Sequence, residues 1–535
     1  MLHVGTDRLG MGAAETMNRV TRAARNLLLI GGAAVAAATL LQIFDHPALA
    51  WLASLCGAGL SIWLTLDALT WPGGASGVAD VKADAASLKK LARGFEPTRY
   101  IALRRGIFLG LDDGRRPIYW PHHVVTKNHI EVIGESGVGK SSLAGVLLSQ
   151  LAAAGETIVV FDPKNDRMLP GALARAGREW GHYPVHLVDL RPTAGPQLNP
   201  FAGCRHDQTE ELLQVALELG KTGDAGVDFY RGGDREATSW IAQARPEGAD
   251  IQALIAGASE DERVTEKENL WRELRQLGRV RAFHTDGGHD LAKLLSEPGV
   301  VYIIGSTTRL EVVAAQKLIL QRVLQILDER QDQSRPVALF LDELKYILSP
   351  AALRAAGTIR DRNCHLLFAH QSLGDLDDCP GLNPKAVRGA IWGNCGIKIV
   401  YKMLDSATAR ELETVCGQVG AESSSTTRSS QGSSVSTRTE RAAHIPAHTF
   451  THLPKPERGE ASVGVLIGRG PAHFLSTRWL QSGPAPKPMT VNAPTVGGPQ
   501  DEGPGSGDFG DPLQRGVDAA HDPLANLDDL MRSSR

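Results

Sequence analysis

Gly134-Glu135-Ser136-Gly137-Val138-Gly139-Lys140-Ser141 is the stretch on which the reading of this chain turns. It has the form GxxxxGKS, follows the short apolar run Ile130-Glu131-Val132-Ile133, and opens Ser142 to Leu151, which reads as an amphipathic helix. Strand, glycine-rich loop and helix in that order make a phosphate-binding loop. The glycines let backbone N–H groups curl around a phosphate, and the helix N-terminus adds its positive dipole. Lys140 can reach the β- and γ-phosphates of a nucleotide, and the Ser141 hydroxyl can hold Mg²⁺. The expected cofactors are therefore ATP and Mg²⁺. Their expected contacts are the loop itself together with Ser142.

Downstream runs supply the partners such a loop needs. Pro336 to Glu343 is an apolar stretch ending in two acids, the pattern of a buried parallel strand whose C-terminal end faces a ligand. Asp342 is expected to act through the Mg²⁺ shell, and Glu343 to orient and deprotonate the attacking water. A further strand, His365 to Ala369, ends at His370-Gln371-Ser372, where Gln371 can contact the γ-phosphate or the water. A polar residue that only caps the strand end is the alternative for Gln371.

Five hundred and thirty-five residues are too many for one simple core. A net charge of -3 gives no global basic field, so any nucleic-acid path must be local. The six cysteines show neither a CxxC pair nor metal-ligand spacing with histidine, and read as reduced thiols.

Leu27 to Phe44 and Ala48 to Leu66 are apolar runs just long enough to cross a hydrocarbon core of about 30 Å. Only Asp45-His46-Pro47 joins them, which predicts a tight transmembrane hairpin over residues 26–71. Arg19, Arg22 and Arg25 precede it and Lys82, Lys89, Lys90 and Arg93 follow it, so both ends are expected in the cytoplasm. The basic start and Ala48-Leu49-Ala50 also mimic a cleaved secretory signal. That alternative would leave the second run unexplained and carry the nucleotide site away from ATP.

The rest divides by pattern. Residues 1–25 read as a cytosolic tail and 72–125 as a stem, helical over Val78 to Phe95, with a small β segment turning at Asp112-Asp113-Gly114. Residues 126–204 and 291–480 alternate strands and helices, which predicts an α/β domain with a mostly parallel sheet. Its strands are expected at Thr157 to Phe161, Val185 to Asp189, Val300 to Gly305, Val337 to Leu341 and Gly396 to Tyr401, with an added antiparallel pair at Val463 to Ile467 and His473 to Thr477. Residues 205–290 have helical periodicity and heavy charge, as an all-α insert would. Ser423 to Arg438 reads as a flexible loop, and residues 481–535, rich in Pro, Gly and Asp, as a disordered tail.

In order along the chain stand the hairpin, the loop at Gly134, the turn Asp162-Pro163-Lys164, Leu198-Asn199-Pro200-Phe201, the helical insert, Asp342-Glu343 and Gln371-Ser372. This combination resembles the TraD/TraG-type coupling proteins of type IV secretion and conjugation. The resemblance implies a RecA-like P-loop ATPase core, a homo-hexameric ring with ATP between subunits, and a multi-pass anchor in the bacterial inner membrane with the ATPase domain in the cytoplasm. It implies partners as well: single-stranded DNA, the relaxase and its relaxosome, and the type IV secretion channel. It further implies an arginine finger from a neighbouring subunit, for which Arg360 and Arg362 are the candidates and Arg309 a third, and a nucleotide-sensing role for Gln371. Asp162 and Lys164 match the family turn without an assigned role. The loop and acidic pair are shared with double-stranded DNA translocases of the FtsK/HerA type, and a receptor for secreted protein effectors is a further alternative. A nucleotide-gated docking scaffold is a fourth, disfavoured by an intact Glu343.

Overall fold

The computed structural model describes residues 85–491 except 222, 286, 430 and 431. The expected N-terminal tail, membrane hairpin and start of the stem, and residues 492–535, lie outside the described residues. Among the described residues no helix is long and apolar enough to cross a membrane.

The sheet has eleven strands, in the order β2-β1-β15-β14-β11-β3-β10-β9-β4-β8-β5. In chain order these are β1 (Ile107–Leu111), β2 (Pro117–Trp120), β3 (Ile130–Ile133), β4 (Thr157–Asp162), β5 (Val185–Asp189), β8 (Gly299–Ile304), β9 (Val337–Leu341), β10 (Cys364–His370), β11 (Ile397–Val400), β14 (Ser462–Ile467) and β15 (His473–Thr477). The block from β11 to β5 is parallel, while β14, β15, β1 and β2 add antiparallel. Apolar runs in the central strands split with a period of two. Val159, Phe161, Val301, Ile303, Leu339 and Leu341 enter one core, and Ile158, Val160, Tyr302, Phe340 and Leu367 enter the other. Helices cover both faces, as a parallel sheet requires.

Several local expectations change. The strands β1 and β2 form the edge of the main sheet, joined through β15, rather than a small sheet of their own. The helix Lys140–Ala153 is not amphipathic: Leu143 to Ala152 are all buried, because β1 and the helix Leu169–Ala176 cover its outer side. Gln150 satisfies itself there by accepting from Phe108 N–H (2.8 Å) and donating to Phe108 C=O (2.9 Å). The serine- and threonine-rich segment forms a twelve-pair antiparallel ribbon, β12 (Gln418–Ser429) with β13 (Gly432–Ala443). Its threonines and Val435 suit extended backbone. Residues 482–491 are not loose either: Gly483 N–H donates to Gly171 C=O (3.1 Å), and Pro488 and Met489 meet β5, with Met489 N–H donating to Leu187 C=O at 2.8 Å.

Between β6 (Leu198–Asn199) and β7 (His289–Asp290), which pair in parallel, the chain is helical, with helices His206–Ala216, Ala225–Gln243, Ile251–Ser259, Glu262–Thr265 and Glu268–Leu277. Asn199 fixes this neck by donating to Gly248 C=O (2.9 Å) and accepting from Phe201 N–H (3.0 Å). The apolar core of these helices runs on into one core of the sheet through the helix Leu310–Glu329. At that junction Gln325 and Gln321 donate to the Glu211 carboxylate at 2.7 and 3.0 Å.

The short run Ile130-Glu131-Val132-Ile133 hides an ionic network. Glu131 on β3 is fully buried and bonds His370 Nε2 on β10 (2.8 Å) and Lys398 Nζ on β11 (2.7 Å). Burial alone would push its carboxyl up, but His370 and Lys398 outweigh burial and hold it below the usual range. Its stabilisation is therefore present above the ordinary value of 4.5 and is lost as the pH falls below that. Glu131→Gln strands the buried Lys398 ammonium, and a loss of about 3–5 kcal/mol is expected at neutral pH. Chemical denaturation measures it, and an unchanged unfolding free energy would contradict the network's importance.

Candidate functional site

The phosphate-loop segment hangs between neighbours of β3. Gly134 N–H donates to His370 C=O (3.2 Å), and Glu135 N–H donates to Lys402 C=O (3.0 Å). Gly137 and Gly139 sit at φ +77° and +117°, conformations open to glycine. A Cβ on Gly139 would also come within 2.0 Å of Ser462 Oγ. The loop is thus set both by its own backbone and by the close approach of β14.

Lys140 opens the following helix and is 7% exposed. Its ammonium donates to Gly134 C=O and, at 3.0 Å, to Glu135 C=O. Burial lowers its pKa, Lys164 lowers it further, and Asp342 and Glu343 oppose both. Val138 is buried, Ser141 and Ser142 line the cleft beside the loop, and one Glu135 carboxylate oxygen is buried without a hydrogen-bond partner.

The acids arrive from the strand two places away. Asp342 follows β9, and its N–H donates to Phe161 C=O (3.1 Å), extending the pairing with β4. Burial pushes the Asp342 carboxyl up to about 6, with Glu343 and Asp162 adding to the rise and Lys164 and Lys140 opposing it. Glu343 is 2% exposed and adopts a left-handed backbone at φ +47°. For a residue with a Cβ that conformation costs about 1–2 kcal/mol. The tight turn it makes carries the carboxylate away from the line of β9.

Lys164 supplies the contact that the sequence left unassigned. Its ammonium pairs with Glu343 Oε1, and Gln371 Nε2 stands 3.4 Å from that same oxygen. Asp162 holds the turn that presents Lys164. Its carboxylate accepts from Lys164 N–H (3.0 Å), Asp166 N–H (2.7 Å) and Tyr302 O–H (2.6 Å). Register explains the meeting: β4, β9, β10 and β3 are consecutive in the sheet and parallel, so their C-terminal ends lie side by side. The fingerprint Asp-Pro-Lys was visible in the sequence, but strand order was not.

One cleft of about 460 Å³ is lined among others by Ser136, Lys140, Ser141, Lys164 and Asp342. Arg360 and Arg362 are not brought to it. They lie in the turn Ile359–Arg362 ahead of β10, at the opposite end of that strand from Gln371. A seven-residue strand puts roughly 20 Å between them. Arg362 pairs with Asp328 at 2.8 Å. Arg309 lies beyond β8, exposed and 3.6 Å from Glu311.

A parallel sheet with a glycine loop and lysine after one central strand, and an acidic pair after a strand two places away, defines a P-loop nucleotide-binding fold of the RecA-like kind. Residues 336–455 match the family described as the TraM recognition site of TraD and TraG, and residues 111–166 match the central domain of helicase HerA. Over 323 residues the chain is 29% identical to Mobilization protein A of Escherichia coli, covering 59% of this chain. The chain spans 58% of the length of that relative. Among solved structures it resembles the bacterial conjugative coupling protein TrwBdeltaN70, with TM-score 0.53 and 15% identity over 75% of this chain and 94% of that one. The plasmid coupling protein TrwB in complex with ADP and Mg²⁺ is similar, with TM-score 0.51 and 14% identity over 76% and 95%. Likeness to TraD/TraG-type coupling proteins is thus present in the sequence over residues 336–455, and the fold is similar to that of the coupling protein TrwB.

Proposed function

We propose that the protein is a membrane-anchored coupling ATPase of conjugation, which links a relaxosome to a type IV secretion channel and drives DNA transfer. The observation that carries this reading is that Lys140, Lys164 and Asp342 line one cleft, with Glu343 paired to Lys164 and Gln371 beside Glu343, in a fold like that of TrwB. Its residues fit ATP with Mg²⁺. The loop offers backbone amides and an ammonium for phosphates, and Ser141 and buried Asp342 offer the hard oxygen donors that Mg²⁺ prefers. Bound Mg²⁺ would supply charge neutralisation on the phosphates.

In this reading Lys140 exchanges its bonds to the loop carbonyls for bonds to phosphate oxygens. Glu343 aligns the attacking water and takes its proton. Lys164 and Gln371 both reach Glu343 Oε1, which leaves Oε2 as the acceptor for that proton. Gln371 reports the state of the site to β10, and the position of Arg360 and Arg362 at the far end of that strand suits action on a neighbouring subunit of a hexamer. The match to the TraM recognition site supports contact with relaxosome proteins. The sequence of residues 26–71 supports an inner-membrane hairpin with the ATPase in the cytoplasm.

The match to HerA over residues 111–166 favours a second reading, a double-stranded DNA translocase. ATP hydrolysis by the detergent-solubilised chain, measured at several protein concentrations with single-stranded DNA, with duplex and with neither, separates the two. The coupling reading expects turnover to rise steeply with protein concentration and with single strands. Stimulation by duplex alone would favour the translocase, and indifference to DNA would favour a receptor for protein effectors.

A further inference from the structure

The cleft does not end at the phosphate loop. Its lining also includes an apolar group, Met168, Leu169, Ala172, Pro456, Trp479 and Leu480, which forms a shelf in the same cleft. Met168 and Trp479 stay 44% and 39% exposed, and a large apolar side chain left open in a concave place asks for an occupant.

The shelf is rigidly placed. Trp479 stands just after β15, between residues that are pinned. Arg478 donates to Phe95 C=O (2.6 Å), Ser482 Oγ donates to Met168 C=O (3.0 Å) and Gly483 N–H donates to Gly171 C=O (3.1 Å). A Cβ on Gly171 would lie 2.2 Å from Gly483 C=O, so strap and helix touch backbone to backbone. Asp166, at the junction of shelf and phosphate end, already accepts from Met168 N–H (2.7 Å) and Leu169 N–H (2.9 Å).

An apolar, pinned surface in the same cleft as a phosphate cradle matches a molecule that is planar and apolar-faced at one end and anionic at the other. We infer that Trp479, with Met168 and Leu480 beside it, is the stacking platform for the base of the nucleoside triphosphate whose phosphates the Gly134–Ser141 loop holds. This rests on the nucleotide-binding reading given above and adds the residue that makes the site prefer a nucleoside triphosphate to a bare phosphate chain.

Equilibrium binding of ATP and of inorganic tripolyphosphate to the full chain, both with Mg²⁺, tests it. Loss of the platform in Trp479→Ala should weaken ATP by about five- to hundredfold. Tripolyphosphate should bind as it does to the unaltered chain, and Trp479→Phe should recover most of the ATP affinity. Equal weakening of both probes would overturn the inference and make the strap a support of the loop, as would no weakening of either. A parallel melting curve shows whether Trp479→Ala still folds. If it does not, Met168→Ser, which leaves the strap's own bonds in place and adds no charge, must weaken ATP and spare tripolyphosphate for the inference to stand. Should the unaltered chain bind neither probe, or Lys140→Ala bind both normally, the nucleotide reading itself falls and this platform with it.

Discussion

A Lys140→Ala chain is expected to lose nucleotide binding and turnover together while keeping its folded stability. The ammonium is buried at the start of the P-loop helix and held by two loop carbonyls, so it is aimed before any ligand arrives. Phosphate oxygens are charged acceptors and make stronger bonds to it than neutral carbonyls do. Losing this one donor removes a charge-assisted contact of about 1.5–3 kcal/mol in binding. It also removes stabilisation of the charge that develops during phosphoryl transfer, and a hundredfold to thousandfold fall in turnover is expected. Stability should not fall with it. Burial lowers the Lys140 pKa, which means that the folded chain bears a cost for keeping the charge there. Titration of a labelled nucleotide and a melting curve on the same preparation measure both halves. Wild-type affinity in the variant would remove Lys140 from the site; a large drop in melting temperature would make it structural.

Glu343→Gln is expected to separate binding from chemistry. The amide keeps the size of the side chain and the left-handed turn that places it, but it cannot accept a proton from water. Turnover should fall by a factor of about 10²–10⁴ with nucleotide affinity nearly unchanged. Lys164→Met attacks the same step by another route. It leaves the carboxylate in place and removes the ammonium that fixes Oε1, so a smaller loss of about ten- to hundredfold is expected, again in turnover rather than affinity. In the proposed mechanism the two residues act on one water, so the double variant should be hardly worse than Glu343→Gln alone. Additive losses would mean that Lys164 works elsewhere, on phosphate for instance. Full turnover in Glu343→Gln would mean that another group is the base.

The Lys164–Glu343 pair also marks where the sequence stopped being legible. The loop at Gly134 and the apolar strands could be read because each is local: a glycine pattern, or a run of Val, Ile and Leu ended by a polar residue. The pair joins positions 179 apart, and Glu131 meets Lys398 across 267. Such contacts depend on which strands are neighbours, and no strand states that in its own residues. Glu131 shows the cost most clearly. An acid within four residues of strand looks like an edge or a solvent face until β10 and β11 bring His370 and Lys398 to it. The ribbon at 418–443 was missed for the opposite reason. Its backbone pairs over twelve positions, yet its residues are nearly all polar and give no apolar alternation to read. The helix after Lys140 hides its full burial from a local reading, since its second covering layer comes from β1 and from a helix later in the chain.

The segment that follows Trp479 bears, finally, on solubility. A sheet of eleven strands ends in rows of amide and carbonyl groups that any extended chain could join, a route to aggregation. At the β5 edge the protein's own Pro488 and Met489 meet Leu187. Proline offers no N–H for another strand to pair with, and Pro484 and Pro486 precede Pro488 at alternate positions in the sequence. At Leu187 that edge is thus already met by a proline-bearing segment of the chain itself, which offers a stranger fewer N–H groups to pair with.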